Sequence, residues 1–381
     1  MKTPLAWLNL LHEKTRLLVA IAGVAFAVLL IFMNLGFLGA LSLTATQIYS
    51  QMNAEIFLRS PQTLEISTTK SFPRERLYQI AGVEGVQQTM PVYVGYQQWR
   101  NPETRFSRAM FVYGINPRDP VFTLPELQAP EAIAALQRPN TVFIDRLSRP
   151  EFGPQTTGIE TESDRRRVEI GGQFTLGGGF ASDGTLIVSD QNFLRLFAPR
   201  PLNRIDLGLV KLQPGADVEA VKATVRQLLP ADVTVLTQEE IIGRDRDFWI
   251  GTTSTGFIFS MGVAVSFIVG TVIVYQILYT DISDHLPEYA TLKAMGYRSR
   301  YLFKIVLQEA VILAVMGYVP GLILSLGLYE LTTNATSGGL PMGMTVGRVV
   351  FVLLLTVSMC ALSGLISVRK VVTADPAEVF S

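Results

Sequence analysis

Hydrophobic and polar positions follow two different rhythms along this chain. Four stretches are apolar almost without interruption: Leu17–Leu43, Thr255–Leu278, Val306–Leu328 and Val349–Val368. The first holds Asn34 as its one strongly polar residue, and the third admits Gln308 and Glu309 near its start. At ~1.5 Å rise per residue, about 20 apolar residues cross a ~30 Å hydrocarbon core, so each stretch predicts a membrane-spanning helix. The first is far longer than the roughly 7–15 residue core of a signal peptide, and a leader precedes it.

Residues 44–254, between the first two spans, change character on a much shorter scale. The first helix is expected to run on through Ala45–Phe57, followed by alternation in Thr63–Thr68. A helix is predicted over Pro73–Val86, with Pro73 at its start. Met90–Trp99 and Ala109–Tyr113 read as strands rich in aromatic and valine residues. Asn203–Leu212 and Val233–Leu236 are further strands, flanking an amphipathic helix over Asp217–Leu229. Strand–helix–strand therefore occurs twice, once near each end. This predicts a porter-like α/β unit assembled from 44–115 and 203–254, with a β-rich insert at 116–202. The insert's short apolar runs are Thr141–Ile144, Arg167–Ile170, Phe174–Leu176 and Leu186–Val188. The fold class predicted is an α-helical membrane protein of four transmembrane helices, with a large extracytoplasmic α/β domain between the first and second.

Charge orients the spans. Lys2, Lys14 and Arg16 flank the first (residues 17–43). Lys293, Arg298, Arg300 and Lys304 lie in the 279–305 connection between the second (255–278) and third (306–328). Arg369 and Lys370 follow the fourth (349–368) in the tail 369–381. The short loop 329–348 has only Arg348. The excess of Lys and Arg places both termini and the 279–305 segment in the cytoplasm, and the large domain in the periplasm of an inner-membrane protein. In residues 1–16, Asn9, His12, Glu13 and Arg16 share one helical face and Trp7, Leu8, Leu10 and Leu11 the other. That pattern fits an interfacial helix or a plain extension of the first span. A formal net charge of +0 gives no pointer to nucleic acid.

Catalytic chemistry finds little support. The single cysteine, Cys360, lies in the fourth span, so the outer domain folds without disulfides. His12 and His285 are too few and too far apart for a metal site, and residues 44–254 contain no histidine for a Ser-His hydrolase. No G-x-x-x-x-G-K-[ST] loop occurs; Gly177–Gly179 is followed by Phe180 and reads as a turn. Glu239–Glu240 and the Ser163–Arg167 run read as solvated surface. No cofactor is expected to bind directly.

The 279–305 connection is more distinctive. Asp281, Asp284 and Glu288 precede Lys293, Arg298 and Arg300, an order that agrees with a helix macrodipole. Pro287 suits its first turn and Gly296 its end. Tyr289, Leu292, Ala294 and Met295 supply apolar anchors for a partner; the other reading is a turn lying on the membrane surface. In the spans, Gly262, Ser266 and Gly270 share one face and Gly317 and Gly321 another, permitting close helix approach within one subunit or across a dimer seam. Glu309 is a costly acid at membrane depth that calls for a polar partner; a proton relay would need a second titratable group.

The run EYATLKAMGYRSRYLFKIVLQEA (288–310) resembles the coupling stretch of FtsX/MacB-like (type VII) ABC transporter permeases: an acidic residue, TLKA(L/M)G, a basic pair, then a span with an early Glu. TADPAEVF (373–380) resembles the DPAEAL tail of the same permeases, with Val379 and Phe380 in place of Ala-Leu. Details such as GYVPG after Glu309 look closest to the cyanobacterial DevC-type branch. The resemblance implies a homodimer in which Glu288, Tyr289, Leu292, Met295, Gly296 and Arg298 meet a separate DevA-like ABC ATPase that holds ATP and Mg. It also implies a DevB-like periplasmic membrane-fusion protein, a TolC-like outer-membrane channel and mechanotransmission driving export of a lipid-like substrate, such as a glycolipid. An FtsX-like transducer that activates a cell-wall hydrolase, and a lipoprotein-extracting permease, share the layout. The insert of ~85 residues favours export, since FtsX-type outer domains are implied to be smaller.

Overall fold

The computed structural model describes residues 14–177, 182–288, 291, 295, 299–336 and 339–373. Residues 1–13, with the proposed interfacial helix, and 374–381, with the whole DPAEVF tail, lie outside them. So does part of the Gly177–Gly179 turn. The chain divides into two compact units: a helical one, drawn from residues up to 39, 257–332 and 342 onward, and an outer one, 40–256 with 333–341.

The helical unit is built on α1 (Lys14–Gln51), α8 (Ser254–Asp284), α9 (Ser299–Ala335) and α10 (Val346–Thr373). All four are long and apolar enough to cross a membrane. Pro320 sits inside α9 without ending it.

The outer unit is organised by one nine-stranded mixed sheet. Its strands are β1 (Ile56–Arg59), β3 (Val86–Arg100), β4 (Ser107–Ile115), β5 (Thr141–Asp145), β6 (Glu160–Ser163), β7 (Arg166–Phe174), β8 (Thr185–Ser189), β10 (Leu207–Leu212) and β11 (Thr234–Thr237). They lie in the order β11-β1-β10-β3-β4-β8-β5-β7-β6. β4–β8 and β5–β7 are parallel and the other ladders antiparallel. The strands of the 116–202 insert thus extend the same sheet. A bridge from Trp99 on β3 to Ser163 on β6 curls that half back on itself. A small separate ladder pairs β2 (Phe72–Pro73) with β9 (Arg204–Ile205).

Strand runs such as Ile56–Leu58 and Leu186–Val188 are apolar at every position because both faces of the sheet are covered. Side chains alternate between two cores. Ile56, Leu58, Tyr93, Val112, Leu186, Val188 and Val210 join one core. Phe57, Val92, Val94, Phe111, Tyr113, Ile187 and Leu209 join the other. The first is covered by α2 (Glu75–Ile80), α5 (Asp190–Leu196) and α6 (Val218–Leu228), through Leu77, Ile80, Phe193, Leu196, Val221 and Val225. The second takes Ile48 and Tyr49 from the end of α1. It also takes Ala132, Ala135 and Leu136 from α4 (Pro130–Gln137), which follows the single turn α3 (Pro125–Gln128), and Ile241 from α7 (Gln238–Gly251).

Local chemistry sets the boundaries, and several differ from the pattern along the chain. α1 stops at Gln51 and yields to β1, so Ala45–Phe57 is not one helix. Thr63–Thr68 holds a 3-10 turn at Ile66–Thr68 closed by the Glu65 carboxylate, which accepts from Ser67 N at 2.7 Å. Pro73 pairs with Arg204 in β2, so the helix after it is reduced to Glu75–Ile80. Gly85 then turns the chain at φ +87°, a conformation that disfavours any Cβ. Phe174 ends β7, so Phe174–Leu176 is not a separate strand. The Ser163–Arg167 run is the β6–β7 hairpin turn, with Asp164 and Arg165 at positive φ. Glu240 closes a capping box with Thr237 at the start of α7 and pairs with Lys222 at 2.9 Å. This is more specific than the solvated face expected of it.

Candidate coupling site and outer clasp

The 279–305 connection begins where α8 ends. Arg16 near the start of α1 pairs with Asp284 at 2.7 Å. Ile282, Val306 and Val368 meet in a small buried cluster with Phe303 against it. These contacts tie the ends of α1, α8, α9 and α10 together around the connection. Beyond Asp284 the His285 ring lies 3.0 Å from the Asp281 carbonyl, and Glu288 N donates to His285 O at 3.1 Å. Further on, Thr291 Oγ1 donates to Pro287 O at 2.8 Å and Met295 N to Thr291 O at 3.0 Å, a helical spacing. Glu288 is exposed, and Met295 is 64% exposed, a large apolar side chain open to solvent. Tyr289, Leu292, Gly296 and Arg298 lie outside the described residues. The described pair is therefore one acid and one uncovered apolar side chain, a combination that suits contact with a protein partner.

The small residues of the spans face other helices of the same chain. A Cβ on Gly317 would collide with Val24 of α1, and one on Gly321 would lie 2.8 Å from Val28. On α8, Gly262 abuts the Asn34 side chain, and a Cβ on Gly270 would lie 2.7 Å from Ala27 and strike Met359. Ser266 is buried and donates to Gly262 O at 2.7 Å. Glu309 is fully buried in α9. A small face on α10 escaped the reading of the sequence. Ser363 Oγ is 2.7 Å from Thr271 O on α8, and Ser367 Oγ is 3.4 Å from Tyr275 O. Ser363, Gly364 and Ser367 carry the same small-residue spacing that marks α8 and α9, and it could have been noticed.

In the outer unit the most constrained polar cluster is one that no motif announced. Asp245 of α7 is fully buried. Its Oδ1 accepts from Arg59 Nη1 of β1 at 2.6 Å, and its Oδ2 from Tyr49 OH of α1 at 2.6 Å and from Ile66 N at 3.1 Å. Gln238 Nε2 adds a bond to Tyr49 O at 2.7 Å. Burial pushes the Asp245 carboxyl above its ordinary range, while the Tyr49 hydroxyl and Arg59 guanidinium pull the other way. A buried carboxylate with three donors fixes its neighbours rather than reacting with solvent. The result is a clasp that joins the outer end of the first span's helix to the sheet and to α7. From α7 the chain reaches α8 through only two residues. Thr253 Oγ1 donates to Trp249 O at 2.6 Å, and Gly256 lies so close to the Trp249 and Ile250 carbonyls that a Cβ there would clash. Among the described residues, no group of His, Cys, Asp and Glu is placed to hold a metal ion.

With this geometry in view, comparison with known proteins places the chain. The profile of the MacB-like periplasmic core domain matches residues 17–228, more than half of the chain, and that of the FtsX-like permease C-terminal region matches 260–376. The chain belongs to the MacB-like periplasmic core domain family and is a multi-pass inner-membrane protein of the MacB/FtsX-like permease superfamily, with its large domain in the periplasm. It is similar to the macrolide export ATP-binding/permease protein MacB of Acinetobacter baylyi, at 27% identity over 131 residues. That match covers 34% of this chain and about a fifth (20%) of that relative. Among solved structures, the periplasmic region of MacB from Actinobacillus actinomycetemcomitans aligns at 12% identity with a TM-score of 0.38, covering 54% of this chain and 97% of that one. The extracellular domain of the noncanonic ABC-type transporter YknZ from Gram-positive bacteria aligns at 16% identity and TM-score 0.35, covering 48% and 98%.

Proposed function

We propose that this chain is the permease subunit of an ABC-type tripartite exporter, converting ATP hydrolysis on a separate ATPase into movement of its periplasmic domain. The observation that carries the reading is the order of its parts. One span, a MacB-like outer domain and three FtsX-like spans follow one another, with the exposed Glu288 and Met295 in the connection between the second and third. The ATPase binds through Glu288, Tyr289, Leu292, Met295, Gly296 and Arg298 and holds ATP and Mg, so this chain needs no cofactor of its own. Two copies pair. Displacement of the connection passes along α1 and α8, neither of which breaks within the membrane, to the Asp245 clasp and the sheet. Substrate need not pass between the spans.

The finer reading follows the DevC-like sequence features. The ATPase is DevA-like, the outer domain docks a DevB-like fusion protein that leads to a TolC-like channel, and the cargo is a lipid-like molecule, such as a glycolipid. Replacing Met295 or Leu292 by Asp puts a charge into the ATPase contact. Each variant should insert normally but lose co-purification of the ATPase from detergent-solubilised membranes. Undiminished recovery of the ATPase with both variants would sink the assignment of this contact.

A further inference from the structure

A second feature of the outer unit is a cleft of about 670 Å³ between the Arg146–Gln155 turn of the insert and the chain just after the third span. Its walls include Arg146, Leu147 and Arg149 on one side and Ala335 and Leu340 on the other, all within the outer unit. The volume falls in the range of small-molecule sites, roughly 300–1,000 Å³. Two properties narrow what would fill it.

The first is charge. Arg149 pairs with Asp183 at 2.8 Å, and Arg108 pairs with Asp183 at 3.0 Å and with Glu151 at 3.4 Å. Among the described residues the Arg146 side chain has only a neutral partner: its Nε donates to Gln173 Oε1 at 3.2 Å. Glu151 and Asp183 line the cleft as well, but both are matched by Arg108 and Asp183 also by Arg149, so the exposed Arg146 is the cleft's charge without an opposite one among the described residues. A guanidinium with free N–H groups is suited to a phosphate, sulfate or carboxylate oxygen.

The second is position and polarity. Leu147 is 38% exposed at the cleft, and Ala335 and Leu340 add apolar wall. Ala335 is the last residue of α9, whose apolar run ends a few residues earlier, so this wall stands where a spanning helix leaves hydrocarbon for the head-group layer. An isolated soluble anion has no use for that apolar wall. A molecule with an anionic head and an acyl tail uses both.

We infer that this cleft receives the anionic head group of an amphiphile from the outer leaflet, with Arg146 as its principal contact. Identifying that amphiphile as cargo rests on the export reading above, whereas the binding itself does not.

The full-length protein in nanodiscs of neutral phosphatidylcholine, doped with a head-group photoreactive phosphatidylglycerol, tests this directly. After irradiation, label should concentrate on the peptides that carry residues 146–155 and 335–340. It should fall about tenfold in Arg146→Glu, be largely retained in Arg146→Lys and resist competition by inorganic phosphate. Equal labelling by a photoreactive phosphatidylcholine, or undiminished labelling of Arg146→Glu, would overturn the inference. Displacement by inorganic phosphate would reduce the cleft to a site for free anions and overturn it as well. Co-purification of the ATPase with Arg146→Glu is measured in parallel. Normal ATPase recovery with unchanged labelling rejects the cleft alone, while loss of the ATPase from the wild type rejects the export reading.

Discussion

The outer unit and the helical unit hold themselves together by opposite means. The outer unit buries charge: Arg59, Glu65, Asp145, Asp206 and Asp245 are all nearly inaccessible, and each carboxylate in that set accepts hydrogen bonds from named donors. The helical unit instead buries small groups, with Gly317 and Gly321 against α1, and Ser363 and Ser367 against α8; among its described residues the buried acids are Asp281 and Glu309. The contrast follows from the solvent each unit leaves behind. A domain folding from water gains by covering apolar surface and can keep a charge inside if donors surround it. Helices already in lipid gain nothing from apolar burial, so close packing and interhelical hydrogen bonds remain. A charge network suits a joint that must hold one geometry, and small-residue faces suit helices that must pack without side chains in the way.

The sharpest way to break the comparison is Asp245→Ala. It strands the buried Arg59 guanidinium and should cost the outer unit about 3–5 kcal/mol, read from chemical denaturation of the full-length protein by fluorescence of Trp99 and Trp249. The double replacement Arg59→Met with Asp245→Leu should recover much of that loss, because the cost lies in the unpaired charge. A double variant as unstable as Asp245→Ala would mean that the clasp acts by shape instead.

Next in size is Gly317→Leu, which forces a branched side chain into Val24. Overpacking of this kind costs roughly 1–3 kcal/mol, measured by SDS titration of the protein in mixed micelles. Gly327 has no atom within 4 Å of where its Cβ would be, so Gly327→Leu serves as the neutral control. Equal losses from both variants would remove the argument for a close seam between α1 and α9.

The smallest expected effect concerns pH. Burial raises the carboxyl of Asp145 above its ordinary value, although the backbone N–H groups of Leu176, Leu147 and Gly177 oppose the shift. A raised carboxyl holds its proton more tightly in the folded protein. Its contribution to stability is therefore complete below the unfolded value and is lost as pH rises through the folded one. Asp145→Asn does not titrate. The margin by which the wild-type melting temperature exceeds that of the variant should narrow from acid towards neutral pH. A margin that widens with pH would show the hydrogen bonds, not burial, to be in control.

The four spans, their order around the large domain and the family motif at 288–310 were all legible from residues close together in the chain. Length and polarity suffice for a helix in lipid, and the motif is contiguous. The strands of the insert were visible as apolar runs, but not their addition to one continuous sheet. Apart from the β6–β7 hairpin, the insert's ladders join runs far apart in the chain, such as Leu186 to Val112 or Val188 to Val142. Position along the chain also misled locally, at Pro73, where a proline suited to a helix start instead entered a two-residue ladder with Arg204.

By itself the sequence determined the class of this protein, its orientation and the want of a nucleotide loop, because hydropathy, charge bias and short motifs are local properties. Only the tertiary structure decided that Asp245 would meet Arg59 and Tyr49, 186 and 196 residues away, and that the glycines of α9 would face α1. A lone aspartate, arginine or glycine carries no record of its partner. What selects the partner is the free energy of satisfying a buried charge, or of filling the space beside a missing side chain, and that exists only once the chain has folded.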